Sequence, residues 1–289
     1  MKTPLFTGVC TALVTPFLDR KINYPMLQIL LQRQMDAGIS SVVLAGTTGE
    51  SPTLSDKEKL SLFRAAKEFA GNNIQILAGT GSNDTQHAIE LSLAAEELGM
   101  DGLLIVSPYY NKATPDGQIA HYTAIANAVK VPIILYNVPS RTGLDMPVSV
   151  YKQLSRIGNI VGVKEASTDL GKILRIRSEC ADSFCVWAGN DHLTVPTVYL
   201  GGKGVISVAS NLFPEEMNVM TYAALNGDFD TAAALQRRML PWTDFLGCEV
   251  NPIPIKAAMA AYGLDCGNGR LPLTPLSPAN QQVLAKLMQ

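Results

Sequence analysis

The segment Ile-Val-Gly-Val-Lys-Glu-Ala-Ser-Thr at residues 160–168 contains a short β-branched run with one lysine, Lys164, near its end. Consecutive Ile and Val residues bounded by polar residues are typical of a buried strand. Side chains alternate between the two faces of a strand, so we expect Ile160, Gly162 and Lys164 to share one face and to point into an interior. A buried strand with an inward lysine bears on both fold and chemistry.

Lys164 is a candidate nucleophile because of where this strand would place it. An ammonium group is costly to bury without a partner, and desolvation lowers the pKa of a lysine. The neutral amine that results can attack a carbonyl carbon. The ordinary alternative is a lysine at a strand end that reaches solvent or pairs with an acid. This run alone favours the ordinary alternative, so the remaining sequence must decide.

Seven further apolar runs of similar length occur along the chain. They lie at residues 8–14, 41–46, 74–79, 102–107, 131–136, 184–189 and 204–209, which brings the candidate strands to eight. Segments with helical periodicity and capping residues separate them, such as the capping box that begins at Ser55. Strands separated by helices predict parallel pairing, and eight such units close a (β/α)₈ barrel. An open doubly wound sheet is the alternative, but no G-x-G-x-x-G follows the first strand.

The pattern changes after the eighth candidate strand. From Pro214 onward the sequence has helical patterns only, at residues 215–226, 229–245, 254–262 and 278–288. We expect the first of these helices to complete the barrel. Residues 1–226 are therefore predicted to form the barrel, and residues 227–289 a small helical appendage packed on it.

Composition excludes several classes of protein. The chain has 289 residues, of which 47% are hydrophobic and 17% charged, with a net charge of -2, whereas a nucleic-acid-binding protein is usually basic. The five cysteines are scattered without a C-x-x-C pair, which favours a reducing cytoplasm over a disulfide framework. No run reaches the ~18 apolar residues of a membrane span, and no targeting segment is evident. We expect a cytoplasmic protein that binds neither nucleic acid nor membranes.

Polar residues follow several of the candidate strands. In a barrel of this kind the chemistry lies at the carboxyl ends of the strands and in the loops after them. The second strand leads into Gly-Thr-Thr-Gly-Glu-Ser at 46–51, whose N–H and hydroxyl groups suit an anion such as a carboxylate or phosphate. The fourth ends in Ser-Pro-Tyr-Tyr-Asn at 107–111, the fifth in Tyr-Asn-Val-Pro-Ser-Arg-Thr-Gly at 136–143, and the seventh in Ala-Gly-Asn-Asp at 188–191. These groups are predicted to converge on one rim.

Each residue type on this rim suits a step of imine chemistry. A lysine amine that attacks a keto acid forms a carbinolamine and then an imine, which requires proton transfer near the reacting carbon. A tyrosine phenol with a hydroxyl relay can supply it, and Tyr136, Thr48 and Tyr110 are the candidates. Arg141 offers a planar fork for a second carboxylate. Taken singly, packed tyrosines and a surface arginine explain these residues equally well, but together they favour a site.

Metal-dependent chemistry was the main rival. The three histidines, His87, His121 and His192, lack the spacing of a metal site, so we expect no catalytic metal. The sequence also has no signature of a nucleotide or flavin cofactor.

Five motifs together resemble a known family. They are Gly-Thr-Thr-Gly-Glu-Ser at 46–51, Pro-Tyr-Tyr-Asn at 108–111, Leu-Tyr-Asn-Val-Pro-Ser-Arg-Thr-Gly at 135–143, Gly-Val-Lys-Glu-Ala at 162–166 and Asn-Pro-Ile-Pro-Ile-Lys at 251–256, with Arg-Leu-Pro at 270–272 beside them. This combination resembles the dihydrodipicolinate synthase (4-hydroxy-tetrahydrodipicolinate synthase) family, within the superfamily of N-acetylneuraminate lyases and class I pyruvate aldolases. The resemblance covers nearly the whole chain.

The resemblance implies a lyase of the diaminopimelate and lysine biosynthesis pathway. Lys164 would form a Schiff base with pyruvate, and the enamine would attack aspartate 4-semialdehyde, with no cofactor beyond the covalent imine. Tyr136 looks like the proton-transfer phenol and Thr48 like its relay hydroxyl. Tyr110 looks like the third relay member, contributed by a neighbouring subunit. This implies a catalytic dimer, and the family is usually a homotetramer built as a dimer of dimers.

The substrate-binding residues are carried over in the same way. Thr47 and Thr48 would hold the pyruvate carboxylate and Arg141 the carboxylate of the semialdehyde, while Gly189 and Ile206 resemble positions that line the pocket. The related N-acetylneuraminate lyases and 2-keto-3-deoxy sugar acid aldolases resemble the chain less around Arg141. They remain the alternative enzymes, and a non-catalytic pyruvate-binding relative is a third possibility that the complete set of residues disfavours.

One cleft departs from the family pattern. Members that lysine inhibits tend to carry a histidine and a glutamate where this chain has Lys59 and His87. Ser51, Asn83 and Tyr109 are retained. Replacing an acid by an imidazole removes a partner for an amino group, and Lys59 adds like charge. We therefore expect weak or absent feedback inhibition by lysine.

Overall fold

A closed barrel of parallel strands forms the centre of the protein, which we describe over residues 4–289 from a computed structural model. Ten strands occur in that range: β1 (Gly8–Ala12), β2 (Phe17–Leu18), β3 (Lys21–Ile22), β4 (Ser41–Leu44), β5 (Gln75–Gly79), β6 (Gly102–Val106), β7 (Ile133–Asn137), β8 (Ile160–Glu165), β9 (Cys185–Ala188) and β10 (Gly204–Ser207). Strands β2 and β3 pair with each other, and the other eight close the barrel because β1 pairs with both β4 and β10. The predicted (β/α)₈ barrel is confirmed, and the open sheet is wrong.

Alternation along the strands separates two apolar layers. The inner cluster fills the barrel and consists of Phe6, Cys10, Ala12, Val43, Leu77, Leu104, Ile134, Tyr136, Val138, Cys185, Trp187 and Ile206. The intervening residues of the same strands, such as Val42 and Leu135, pack outward in the larger cluster shared with the helices. Because both faces are covered, the strands are apolar almost throughout, as expected for a parallel sheet. Polar side chains on the inner face are therefore exceptional.

Strand β8 contains a β-bulge at its start. Ile134 of β7 pairs with Gly162, whereas the residue before Ile134 pairs with Ile160, so Val161 is an extra residue. Ile160 packs in the outer cluster and Val161 packs against the inner one. The expectation that Ile160 shares the inner face with Gly162 and Lys164 is thus wrong for Ile160, because the bulge shifts the alternation by one residue.

Helices cover the barrel and extend beyond it. Within the described range they are α1 (Tyr24–Asp36), α2 (Asp56–Ala70), α3 (Thr85–Glu97), α4 (Pro115–Ala128), α5 (Pro139–Thr142), α6 (Val148–Leu154), α7 (Leu170–Glu179), α8 (Thr194–Tyr199), α9 (Pro214–Leu225), α10 (Phe229–Leu246), α11 (Ile253–Ala261) and α12 (Pro278–Leu287). The capping box at Ser55 and Glu58 begins α2, with the Glu58 N–H donating to Ser55 Oγ at 3.3 Å and the Ser55 N–H to Glu58 Oε2 at 2.9 Å. Polar side chains likewise cap the first turns of α1, α3, α4 and α7.

The last three helices follow the eighth βα unit. The boundary predicted at residue 226 falls between α9 and α10. Helix α11 contacts the barrel rim, where the Lys256 ammonium lies 2.6 Å from a carboxylate oxygen of Glu50. Across residues 4–289, none of the helices combines the length and the apolar character that crossing a bilayer requires.

Candidate active site

Lys164 and Tyr136 are neighbours on the inner face of the barrel, near the carboxyl ends of β8 and β7. The two residues are register partners in the parallel pairing, and the Lys164 Nζ lies 4.5 Å from the centroid of the Tyr136 ring. Lys164 is 4% exposed and Tyr136 6% exposed. Among residues 4–289, no carboxylate forms an ion pair with Lys164. The ordinary explanation of this lysine, as a solvent-reaching or acid-paired side chain, is therefore wrong.

A buried polar network lies on the opposite face of the same two strands. Glu165 follows Lys164 and accepts hydrogen bonds from Asn137 Nδ2 at 2.7 Å and from the Tyr151 hydroxyl at 2.9 Å. Lys172 Nζ lies 3.6 Å from Glu165 as well. Burial raises the pKa of Tyr151 well above its usual value, so its hydroxyl stays protonated as a donor. This network ties the ends of β7 and β8 together directly behind the catalytic candidates.

The surroundings of Lys164 inside the barrel are largely apolar. Trp187 is its register partner on β9 and stacks on Phe6, with ring centroids 4.8 Å apart. Burial raises the pKa of Cys10 to about 12, with smaller opposing effects from Ser41 and the Lys164 charge. The Cys10 thiol therefore stays protonated and does not compete as a nucleophile. Lys164 is therefore a buried amine with mainly apolar neighbours in the barrel interior.

Gly189 and Ile206 lie close to this pair in the barrel. Gly189 directly follows β9, its N–H donates to the Glu165 carbonyl at 2.8 Å, and an added Cβ would lie 2.5 Å from Ala166 Cβ. Ile206 belongs to β10 and to the inner cluster. Gly189 thus adjoins β8, whereas Ile206 lies on a strand that pairs with β9 and β1, and neither residue lines the cavity described next.

A cavity of about 590 Å³ opens at the rim above the barrel. Tyr136, Thr47 and Arg141 line one part of it. Lys164 is not on the cavity wall and adjoins it through Tyr136. The other part is lined by the predicted effector residues, Ser51, Lys59, Asn83, His87 and Tyr109. Thr47, Tyr136 and Arg141 therefore share one continuous cavity with the effector candidates.

The loop after β4 separates the two adjacent threonines. Thr47 is partly exposed on the cavity wall. Thr48 is 2% exposed, does not line the cavity, and its hydroxyl accepts a hydrogen bond from Asn251 Nδ2 at 2.9 Å. The structure thus brings Thr47, rather than the expected Thr48, to the side of the cavity where Tyr136 lies.

Glu50 holds the same loop in place through contacts of its side chain. It adopts a left-handed backbone conformation with φ of 58° and is 2% exposed. Its carboxylate accepts from the Arg270 N–H at 2.8 Å and pairs with Lys256 at 2.6 Å. Burial lowers the pKa of Lys256, and the Glu50 carboxylate opposes that shift. The C-terminal region therefore holds in place the loop that the sequence predicts to bind an anion.

Arg141 lies on the short helix α5 and its side chain is exposed to the cavity. Its Nη2 donates to the Asn251 carbonyl at 3.3 Å. Tyr110 behaves differently from the other candidates, since it is 92% exposed and has a φ of 68°. Within one described chain, Tyr110 is not brought to Lys164.

The side chains of the effector part are already engaged with one another. Asp56 Oδ2 lies 2.9 Å from His87 Nε2, and Asp56 Oδ1 lies 3.8 Å from Lys59 Nζ. Lys59 is 7% exposed, and burial lowers its pKa while Asp56 opposes that shift. His87 Nδ1 also contacts Ser82 Oγ at 3.2 Å. The carboxylate of this cleft therefore already contacts His87 and Lys59 before any ligand binds.

A profile of the dihydrodipicolinate synthetase family matches residues 5–289. The chain belongs to this family. A protein of Methanosarcina mazei named 4-hydroxy-tetrahydrodipicolinate synthase is 46% identical over 283 residues, which cover 97% of each chain. One of the same name from Acetivibrio thermocellus is 42% identical over 290 residues, covering 100% of this chain and 98% of the relative.

The dihydrodipicolinate synthetase family also accounts for the fold. A crystal structure of the Cyanidioschyzon merolae enzyme with lysine bound superposes with a TM-score of 0.96 at 39% identity, covering 99% of this chain and 98% of that one. The match to this family extends through the C-terminal helices as well as the barrel. Sequence reasoning noted the segment 251–256 only as a resemblance and missed that Asn251 touches two candidate binding residues.

Proposed function

We propose that this chain condenses pyruvate with aspartate 4-semialdehyde through an imine on Lys164, as a 4-hydroxy-tetrahydrodipicolinate synthase of diaminopimelate and lysine biosynthesis. The observation that carries the proposal is the contact of a buried, unpaired lysine with Tyr136 at the carboxyl ends of two barrel strands. Full-length relatives named for this activity support it.

The proposed reaction needs only protein side chains. The Lys164 amine adds to the keto carbon of pyruvate, and the carbinolamine receives a proton on its hydroxyl and loses water to give a protonated imine. Loss of a methyl proton gives an enamine, whose electron pair forms the bond to the aldehyde carbon while the aldehyde oxygen takes a proton. The amino group of the condensed substrate then adds to the imine carbon and expels the Lys164 amine, which closes the ring.

Tyr136 is proposed to carry these protons. The Tyr136 ring lies against the Lys164 Nζ. We therefore place its phenol hydroxyl close to the pyruvate carbon that bonds to this nitrogen. We assign the relay hydroxyl to Thr47, because Thr47 lines the cavity with Tyr136 and Thr48 does not. The protonated imine is the electron sink for the enamine, so the proposed chemistry requires neither a metal nor an organic cofactor.

The two substrate carboxylates are assigned to separate parts of the rim. The loop of Thr47 and Thr48 is proposed to hold the pyruvate carboxylate, and Arg141 that of the semialdehyde, since its fork faces the same cavity. Gly189 and Ile206, which do not line this cavity, stay predicted pocket positions. The sugar aldehydes that the alternative lyases join to pyruvate are polyhydroxylated and carry no carboxylate for Arg141 to bind, which disfavours those lyases.

We propose a homotetramer, built from dimers in which Tyr110 enters the neighbouring subunit's site. The exposure and left-handed backbone of Tyr110 support this, because they project a bulky aromatic side chain away from its own chain. We also propose the cytoplasm as the compartment, on the ground of the five scattered cysteines in the sequence.

Borohydride trapping tests the proposed imine. The purified protein is incubated with pyruvate, reduced, digested and analysed by mass spectrometry, and we expect the adduct on Lys164. Lys164→Arg keeps the charge and should abolish both adduct and turnover, whereas the surface variant Lys130→Arg should keep both. Absence of an adduct on Lys164 would contradict the proposal.

A comparison of acceptors then tests the substrate. Aspartate 4-semialdehyde should be consumed with pyruvate, and sugar aldehydes should not. Turnover of a sugar aldehyde alone would instead indicate an N-acetylneuraminate lyase or 2-keto-3-deoxy sugar acid aldolase.

A further inference from the structure

Asn251 of the C-terminal region contacts both parts of the rim to which the two carboxylates were assigned. Its side-chain Nδ2 donates to Thr48 Oγ1 at 2.9 Å, and its main-chain carbonyl accepts from Arg141 Nη2 at 3.3 Å. Asn251 lies 203 residues from Thr48 and 110 from Arg141 in the chain. We propose that Asn251 is a positioning residue that sets the pyruvate subsite through its side chain and the Arg141 fork through its main chain.

The direction of the bond to Thr48 has a chemical consequence. Because the Asn251 amide donates, the Thr48 hydroxyl acts as acceptor and its own proton must point elsewhere. Within residues 4–289, no acceptor for that proton is found. Asn251 therefore holds the Thr48 side chain still and leaves the hydroxyl proton free to donate toward a carboxylate held by this loop.

Asn251 can act this way because its own backbone is held. It lies immediately before α11, where the Ile253 N–H donates to the Val250 carbonyl at 2.9 Å and the Lys256 N–H to the Pro252 carbonyl at 3.0 Å. One helical turn later, Lys256 pairs with Glu50, and both side chains are almost fully buried. The loop after β4 is thus fastened to α11 at Thr48 and at Glu50.

This inference rests on the proposed function and makes a separate prediction for each substrate. Truncation of the Asn251 side chain removes the bond to Thr48 but leaves the carbonyl that receives Arg141. Asn251→Ala should therefore raise the pyruvate concentration that half-saturates imine formation by about tenfold, the equivalent of one lost hydrogen bond, with little change in the KM for the semialdehyde. A merely structural role would shift both constants and the melting temperature together.

A double-mutant cycle tests whether Asn251 acts through Thr48. The readout is the half-saturating pyruvate concentration for the borohydride-trapped adduct, measured for wild type, Asn251→Ala, Thr48→Val and the double variant. We expect the double variant to resemble Thr48→Val, because without the Thr48 hydroxyl the Asn251 side chain has no partner through which to act. Fully additive effects would show that the two residues act independently and would overturn the inference.

Two further variants complete the test. Asn251→Asp keeps the size but cannot donate, so Thr48 would turn its proton toward residue 251, and half-saturation should rise at least as much as with alanine. Wild-type behaviour of Asn251→Asp would contradict the donor role. Asn218→Ala removes an asparagine whose side-chain amide donates to the Ala37 and Gly38 carbonyls, and it should leave the half-saturating pyruvate concentration unchanged. Absence of any trapped adduct in the wild-type protein would refute the proposed function. A half-saturating pyruvate concentration in Asn251→Ala equal to that of the wild type would refute only this inference.

Discussion

Tyr136 and Lys164 face each other across the β7–β8 pair, with the Lys164 Nζ 4.5 Å from the Tyr136 ring centroid. The ring packs against the amine, and only the phenol hydroxyl can exchange protons with substrate. Removal of the hydroxyl should therefore separate the two contributions of this side chain.

We expect Tyr136→Phe to lower kcat by roughly 10²–10⁴-fold, the usual contribution of a general acid–base group, because packing is kept and proton transfer is lost. Steady-state kinetics checks this result. Tyr122→Phe is the matched control, since Tyr122 is a fully buried tyrosine whose hydroxyl donates to the Ile105 carbonyl on the far side of the sheet. Equal losses in both variants would contradict the role of Tyr136.

Arg141→Lys should weaken the aldehyde subsite without affecting the imine. A lysine ammonium cannot present two parallel N–H donors to one carboxylate, so we expect the KM for the semialdehyde to rise about tenfold or more. The yield of trapped pyruvate adduct should not change. Arg175→Lys is the control, because Arg175 is exposed and pairs with Asp169 at 3.9 Å. A loss of the pyruvate adduct would show that Arg141 serves the first substrate instead.

Glu165→Gln should destabilise the fold, because Glu165 accepts from both Asn137 and Tyr151 while buried. Hydrogen bonds to a buried charge contribute about 1.5–3 kcal/mol, and we expect a loss of that size in the free energy of unfolding by urea. The exposed pair of Glu179 with Lys152, at 3.6 Å, gives the matched comparison. Glu179→Gln should cost less than about 1 kcal/mol. Similar losses of unfolding free energy in the two variants would show that the Glu165 network does not stabilise the fold.

Free lysine should change activity by less than about twofold, since the Asp56 carboxylate already has His87 and Lys59 as close neighbours and like charges repel an incoming ammonium. A titration of activity at millimolar lysine checks this. His87→Glu combined with Lys59→His introduces an acid and removes the buried ammonium, and it should increase the effect of lysine. Strong inhibition of the unaltered chain would show that the cleft accepts an amine despite these contacts.

His121 should make stability depend on pH. Burial lowers the pKa of His121 to about 4, against a smaller opposing effect of Asp84, and its Nδ1 contacts Thr85 Oγ1 at 2.9 Å. The unfolded chain binds this proton near pH 6.5, so the stabilising contribution is complete above that pH and is lost as the pH falls toward 4.

His121→Gln should therefore reduce the fall in unfolding free energy between pH 7 and pH 5, as measured with urea. His192→Gln removes an exposed histidine and provides the control. An unchanged pH dependence in His121→Gln would contradict the assignment.

Several local features could be predicted from the sequence because they depend on neighbours in the chain. The eight apolar runs, the helical segments between them and the capping box at Ser55 predict the barrel correctly. The predicted inward orientation of Ile160 was wrong, because the bulge that turns this residue outward depends on pairing with the partner strand. The position of Thr48 was not predictable either, since two adjacent threonines in a loop follow no strand alternation.

The order of apolar runs and caps was sufficient to predict the barrel and the rim that holds the candidate site. This is because the periodicities of strands and helices are local properties of the chain. Which side chains meet on that rim was decided only by tertiary packing. Lys164 lies beside Tyr136 because of the register between β8 and β7. Thr48 contacts Asn251 because the C-terminal helices pack back against the barrel. Contacts of that kind depend on three-dimensional closure, which no local pattern of residues encodes.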